Sequence, residues 1–370
     1  MRAVIFLCVA FGLVSLLSAC GPVRAQRDLV FAAQYYQRVS PSTLRAQGAY
    51  HLYRINADGS HRTRLTFGTQ DDVFPQWSPD GKRVLFLRLV NYTPHSVCIV
   101  EARGGKVTRL MLTPRRRSGE FRRYAWAPNG KSVAVVFQNF GSASPPDYTL
   151  SLIDVLTHKA KSLINVRDFA WSPDSRKLYL DRKGGDQIWE VKTGKRTRVR
   201  DEVDNPFWLD NRSILGTYGE MNRSPRHLRV ISGRDIRWSQ PLVPTTTKTL
   251  GMDTLQTITL LDSVTWHRTR TSSPLLLAQK ALIMSDGTHY ACYAVNSRTG
   301  RYRPLREGQM LGFSTRTGEV AIANDQWVGE YKRGGARVGP IQLVSVKTRK
   351  VRTLTHGLTA IAGGDWREHR

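Results

Sequence analysis

The chain has 370 residues, enough for one large domain or two ordinary ones. Its 56 Lys and Arg against 29 Asp and Glu give a net charge of +27, which favours solubility and attraction to anionic surfaces but specifies no fold. Nucleic acid, the usual partner of so basic a protein, is set aside because the first residues read as an export signal, and a high-arginine genome would supply some of the excess without any function.

At the N-terminus, Arg2 is a minimal basic region and "AVIFLCVAFGLVSLL" (3 to 17) is an apolar stretch shorter than a typical membrane span. It ends in Leu17-Ser18-Ala19-Cys20-Gly21. This resembles the lipobox of bacterial lipoproteins, in which cleavage precedes the cysteine and the cysteine carries the lipid. The resemblance implies a signal peptide over 1–19, a lipidated tether over 20–27 and lipid attachment at Cys20. It further implies a membrane-anchored protein of the cell envelope facing outside the cytoplasm, in the periplasm. Gly21 rather than Asp after the cysteine points to an outer membrane where there is one. Ordinary secretion, with cleavage after Ala25, is the alternative. Several acyl chains on one cysteine bind firmly, each buried methylene contributing roughly 0.8 kcal/mol. Of four cysteines, only Cys98 and Cys292 then remain, and their spacing carries no disulfide signature. Both are expected as small apolar residues inside strands.

Residues 28–370 are expected to form a single domain. "DLVFAAQ" (28 to 34) opens it as a strand, and "AYHLYRINADGSHRTRLT" (49 to 66) follows as strand, Asp-Gly turn, strand. "FPQWSPDGKRVLFLR" (74 to 88) is a hairpin: Trp77 closes an extended run, Ser78-Pro79-Asp80-Gly81 is turn chemistry, and "RVLFLR" alternates as a strand. The hairpin recurs around Trp126, Trp171 and Trp208, in degenerate form at "GFSTRTGEVAIA" (312 to 323) with Phe313 in the aromatic place, and in part at "IAGGDW", ending on Trp366. Between copies lies a second strand–turn–strand pattern, as in "HSVCIVEARGGKVTRLML", "YTLSLIDVLTHKAKSLI", "QIWEVKTGKRTRV", "YACYAVNSRTGRYRPL" and "IQLVSVKTRKVRTLT". Four short antiparallel strands at a period of roughly 40 to 50 residues are the signature of β-propeller blades. Nothing beyond the signal reads as an amphipathic helix of useful length.

The expected fold is therefore all-β: one propeller of four-stranded antiparallel blades. Seven blades are expected, or six if 243–305 is irregular. The N-terminal region lacks a tryptophan hairpin and the C-terminus stops where one would turn, so 358–366 is expected to supply the innermost strand of the blade built from 28–66. The tryptophans are read as packing between neighbouring sheets rather than as a ligand platform.

"PQWSPDGK", with "LYRINADG" and "RLT" upstream, resembles the WD-type repeat of TolB-like propellers and of the propeller in prolyl oligopeptidases. The likeness covers most of 28–370 and weakens after about residue 220. In the third copy Ser175 stands where the family has Gly; a left-handed serine there costs on the order of 1 kcal/mol unless the turn relaxes. TolB proteins also carry an N-terminal α/β domain, and none fits between Cys20 and the first strand.

No enzyme and no cofactor are expected. The nearest approach to a serine-hydrolase elbow, Gly312-Phe313-Ser314-Thr315-Arg316, has Arg where the second Gly belongs. The histidines show no paired zinc spacing. Carboxylates at blade junctions (Asp71, Asp72, Asp201, Asp204) could meet in a central channel as in propeller glycosidases. Basic residues concentrate in the turns at one end of the strands, including Lys82, Lys131, Arg176, Arg212, Lys106 and Lys159. The opposite end bears the densest cluster, "PRRRSGEFRR", whose Arg115, Arg116, Arg117, Arg122 and Arg123 are candidates for an anionic partner. The function expected is a non-catalytic, lipid-anchored, monomeric interaction scaffold. Its partner would be an envelope protein, or an anionic membrane or cell-wall surface. The alternative is a propeller that binds or degrades a saccharide or peptide in its channel.

Overall fold

The computed structural model describes residues 28–41, 43–113, 119–140, 147–218, 227–232, 235–241, 243–244, 264–268, 275–284, 287–314, 317–324, 326–328, 336–357 and 359–367. Among these there is no helix, only strands and turns. Seven four-stranded antiparallel sheets follow one another around a central axis. Each runs from an innermost strand outward. Blade 2, for example, comprises Asp71–Trp77, Arg83–Val90, Thr93–Glu101 and Thr108–Leu112. The innermost strands of blades 3, 4, 5 and 7 are Gly119–Trp126, Val166–Trp171, Asp204–Trp208 and Gln309–Ser314.

Blade 6 is Val264–Arg268, Leu275–Met284, Gly287–Asn296 and Arg301–Glu307, so the region left open between six and seven blades does contain a full sheet. Its first hairpin lacks the Trp-Ser-Pro-Asp signature. Its outer strand is also flanked by Val243–Pro244, which pairs parallel to Arg301 and Tyr302. Blade 7 adds an excursion, the small hairpin Gln326–Val328 with Ala336–Val338, between its second and third strands.

Period-two alternation builds the core. Along Arg83–Val90, Val84 and Phe86 pack toward blade 1 while Leu85 and Leu87 pack toward blade 3. The same division recurs in every blade, giving seven main apolar cores, one at each blade-to-blade junction. Trp77, Trp126, Trp208 and Trp366 each lie in the core shared with the preceding blade, as expected. Trp208 donates its indole N–H to Ala170 O at 2.9 Å. The indole N–H groups of Trp77, Trp126, Trp171 and Trp366 are buried without an acceptor. A ring burying about 150 Å² contributes about 4 kcal/mol at ~25 cal/mol per Å², against about 1–3 kcal/mol for the unpaired donor. Packing wins. Cys98 and Cys292 are free and buried, one in the core between blades 1 and 2, the other between blades 6 and 7.

The ring closes as expected. Thr359–Trp366 pairs antiparallel with Asp28–Ser40, from Leu29 opposite Trp366 to Tyr35 opposite Thr359, and Arg367 N donates to Asp28 O at 2.9 Å. The third and fourth strands of this first blade are His51–Asn56 and Thr63–Arg64. Its second strand runs on to Ser40, beyond the 28–34 that hydrophobicity marks, and folds back on Thr43–Ala46. Removing residues 356–370 would expose the inner edge of Asp28–Ser40 from Leu29 to Tyr35 and take Trp366 and Ile361 out of the core against blade 7. A thermal melt of the truncated chain should show a large drop in midpoint; an unchanged melt would contradict this closure.

Gly81, Gly130 and Ser175 occupy one turn position with φ of 64°, 70° and 63°, so the serine keeps the left-handed backbone and the turn does not relax. Each donates its N–H to the residue three earlier. At Gly81 a side chain would also have to displace the guanidinium end of Arg367, which passes over the turn and sits 5.4 Å from the Trp77 ring. The serine has a return that glycine lacks: its hydroxyl accepts the Asn129 N–H of blade 3 at 2.9 Å. Ser175→Gly removes about 1 kcal/mol of strain and about as much hydrogen bonding, so it should leave stability nearly unchanged. Ser175→Ala keeps the strain and loses the bond, and should cost about 1 kcal/mol in urea denaturation.

Candidate functional site

Innermost strands leave one edge of backbone N–H and C=O groups facing the axis, and the neighbouring blade's side chains satisfy several of them. Asp365 of blade 1 accepts the Trp77 N–H of blade 2 at 2.8 Å. Gln76 donates to Tyr124 O of blade 3 at 3.1 Å, and the Tyr124 hydroxyl donates back to Phe74 O at 2.7 Å. Gln309 of blade 7 accepts the Gly363 N–H at 3.1 Å, and Gln279 of blade 6 accepts the Met310 N–H. Around them is a cavity of about 450 Å³, whose walls include Phe74, Trp77, Trp126, Gln279, Met310 and Asp365.

Asp365 is the chemically distinctive group of this channel. Its two oxygens take the Trp77 and Trp366 amides, at 2.8 and 2.9 Å. Burial outweighs both hydrogen bonds and pushes the carboxyl up to about 7. None of the carboxylates expected at blade junctions lines this cavity. Asp72 is buried and gripped by Arg88 through two bonds of 2.7 and 2.9 Å, and Asp71 accepts the Tyr50 N–H at 2.8 Å. Ser314, from the hydrolase-like string, is buried and its hydroxyl accepts the Thr317 N–H in a turn. No group of three or more His, Cys, Asp or Glu among the described residues is arranged to hold a metal ion.

The arginine cluster divides. Arg115, Arg116 and Arg117 lie outside the described residues, as does Cys20. Phe121 turns inward and meets Phe137 edge-on at 5.3 Å. Arg122 is exposed and pairs with Glu120 at 2.6 Å. Arg123 clamps Asp168 of blade 4 through Nη1 at 2.9 and 2.8 Å, with its guanidinium 5.5 Å from the Phe169 ring. Both described arginines are thus engaged within the chain. Arg167 and Asp181 form a further pair at this end, at 2.6 Å.

The opposite end, where the tryptophan hairpins turn, is electrostatically different. Lys82, Lys131, Arg176 and Arg212 project from those hairpins, and Arg103, Lys106, Lys159, Lys192, Lys195, Lys347, Arg349 and Lys350 from the outer turns. All are exposed, and none is in an ion pair among the described residues. The nearby aspartates are occupied by the turns themselves. Asp80 accepts the Ser78 hydroxyl at 2.6 Å and the Lys82 N–H at 3.0 Å, and Asp174 takes the Ser172 hydroxyl and Arg176 N–H at 2.7 and 3.0 Å. Partial burial opposes ionisation of both, but these bonds and the adjacent cations hold the two carboxyls below the usual range.

Comparison with known proteins adds the fold. No family model matches the sequence, and no curated protein sequence matches it. Among solved structures, a Bacteroides uniformis protein provisionally named a 6-phosphogluconolactonase superposes with a TM-score of 0.53 at 12% identity, over 93% of this chain and 100% of that one. The acylaminoacyl peptidase of Pyrococcus horikoshii gives 0.50 at 12% identity, over 89% of this chain and 51% of the peptidase. TolB of Acinetobacter baumannii gives 0.47 at 13% identity, over 92% of this chain and 66% of TolB, just under two thirds of its length. The likeness is one of fold.

Ionising Asp365 costs the folded state, because its folded carboxyl titrates near 7 while an unfolded aspartate titrates near 3.9. The side chain's contribution is therefore intact below about pH 4, declines as pH rises toward 7, and is flat above it. The stability difference between the wild type and Asp365→Asn should fall by about 1 kcal/mol per pH unit across that window. Denaturant titrations at several pH values measure it, and a pH-independent difference would contradict the assignment.

Proposed function

We propose that the chain is a non-catalytic, lipid-anchored propeller of the cell envelope, tethered through Cys20, that holds an anionic partner on the face where its tryptophan hairpins turn. The observation that carries this reading is the run of exposed, uncompensated cations on the turns of that face. At one end of the strands, arginines are tied to carboxylates as Arg88–Asp72, Arg122–Glu120, Arg123–Asp168 and Arg167–Asp181. At the other, Arg54 and Arg367 approach Asp28 and Arg352 pairs with Glu319, but the lysines and arginines of the turns themselves stand exposed and outside any ion pair among the described residues, while Asp80 and Asp174 serve the turns. Unpaired surface charge of one sign contributes little to folding and much to the attraction of oppositely charged surfaces.

The partner is read as an acidic envelope protein, with anionic lipid or cell-wall polymer as the other occupants the same face would attract. The test compares the wild type with the Lys82→Gln, Lys131→Gln, Arg176→Gln, Arg212→Gln quadruple variant in crosslinking from native membranes. One dominant envelope protein should be captured by the wild type and lost in the variant at equal thermal stability. Capture that survives the four substitutions contradicts the proposal. Cosedimentation of the lipid-free chain with phosphatidylglycerol vesicles over a salt series isolates the membrane contribution, at about 1 kcal/mol per basic residue near the surface.

A second reading, a saccharide or peptide held in the axial channel, is favoured by the 450 Å³ cavity around Asp365. Asp365→Asn should then weaken ligand binding without altering the basic face.

A further inference from the structure

A second cavity, of about 610 Å³, is lined by residues of blades 1 and 2 at the end opposite the basic turns. That is within the ~300–1,000 Å³ typical of small-molecule sites. Its lining includes Tyr35, His51, Tyr53, Arg64, Asp71 and Tyr92.

Tyr92 is the informative residue. Asn91 and Tyr92 form the two-residue tip between Arg83–Val90 and Thr93–Glu101, with φ of 50° and 60°. Such a tip wants glycine at its second place, because both residues must be left-handed. Here that place holds a tyrosine that is 84% exposed, so the strain returns no packing. A bulky aromatic kept in a strained position at the rim of a cavity is a mark of use rather than of folding.

The interior wall supports it. Tyr35 and Tyr53 meet edge-on at 5.5 Å, with Tyr53 also stacked on Phe31 at 5.8 Å and Arg62 lying 5.4 Å from the Tyr35 ring, so each offers at most one face. His51 is only 6% exposed, and its Nδ1 is buried without a partner, which leaves Nε2 as the ring nitrogen with access to the cavity. Burial, with Arg64 beside it, lowers the His51 pKa and favours the neutral imidazole, whose Nε2 donates or accepts according to its tautomer. The wall carries one guanidinium and one carboxylate, Arg64 and Asp71, which balance. Arg64 is held by its Nε–H bond to Thr66 O at 2.8 Å and by the Phe67 ring at 4.7 Å. Asp71 is held by the Tyr50 N–H.

We infer that this inter-blade cavity binds a neutral saccharide, its ring packed on the tyrosines and its hydroxyls taken by His51, Arg64 and Asp71. The open ring of Tyr92, with what the inner tyrosines leave uncovered, suits the apolar C–H face of a pyranose, the polar groups suit neighbouring hydroxyls, and the balanced charge disfavours an ionic ligand. The site is separate from both the axial channel and the basic face.

Isothermal titration of the whole chain with maltotetraose, cellotetraose and N,N′,N″,N‴-tetraacetylchitotetraose, and with tetragalacturonate as the acidic counterpart, tests it. At least one neutral tetrasaccharide should bind with sub-millimolar affinity. Tyr92→Gly should weaken that binding about tenfold while raising the melting temperature, since it removes the strained side chain. His51→Gln should weaken binding with the fold intact by circular dichroism. No binding of any neutral sugar, binding of the acidic one alone, or neutral-sugar binding unchanged in Tyr92→Gly would each overturn the assignment. None of these outcomes depends on whether the basic face holds a partner.

Discussion

Every strand in this ring must serve two cores at once. Because successive side chains leave a strand on opposite faces, a sheet in a propeller has no solvent face between its neighbours; both faces are interior. Val84 and Phe86 face one junction and Leu85 and Leu87 the next, which is why "RVLFLR" reads as a nearly continuous apolar run between two arginines. Polar residues are pushed out to the turns and the outermost strands, such as Ala160–Ile164 and Val351–Thr353, where exposure returns. The distribution of charge over the two ends of the molecule follows from that exclusion.

The axis presents a second demand. Seven innermost strands bring their unpaired edges together, and the chain answers with side chains handed across junctions: Asp365 to Trp77, Gln76 to Tyr124, Tyr124 to Phe74, Gln309 to Gly363. The bonds bridge blade to blade, so the channel wall is both satisfied and laced together. Asp365 stands out because a carboxyl does a task that amides do elsewhere in the ring, in a poorly solvated place that opposes its charge.

Much of the architecture is legible from residues alone. Turn chemistry after each tryptophan locates the innermost strands of blades 2 to 5, and the unmatched strand at each end of the chain implies their union. Blade 6 is harder, because its first two strands, Val264–Arg268 and Leu275–Met284, carry no Ser-Pro-Asp turn to mark them. Functional groups are less readable still. Arg123 looks like a free cation in "EFRRYAW", but the register of its strand sets it against Asp168, forty-five residues on. His51 and Tyr92 are far apart in sequence and meet only because blades 1 and 2 are neighbours. One local sign did exist: in "LVNYTP" a two-residue loop places tyrosine where hairpins favour glycine.

The pairing of Leu29 with Trp366 joins the earliest described strand to the last. During synthesis the inner edge of Asp28–Ser40 therefore has no partner along Leu29–Tyr35 until Thr359–Trp366 has emerged, whatever the state of the sheets between. The ring is assembled in sequence but locked by Thr359–Trp366, through a contact of very high sequence separation and hence a slow one to form. A ribosome that stalls late would leave behind six finished sheets and an unlatched clasp, a species inclined to pair its waiting edge with a stranger.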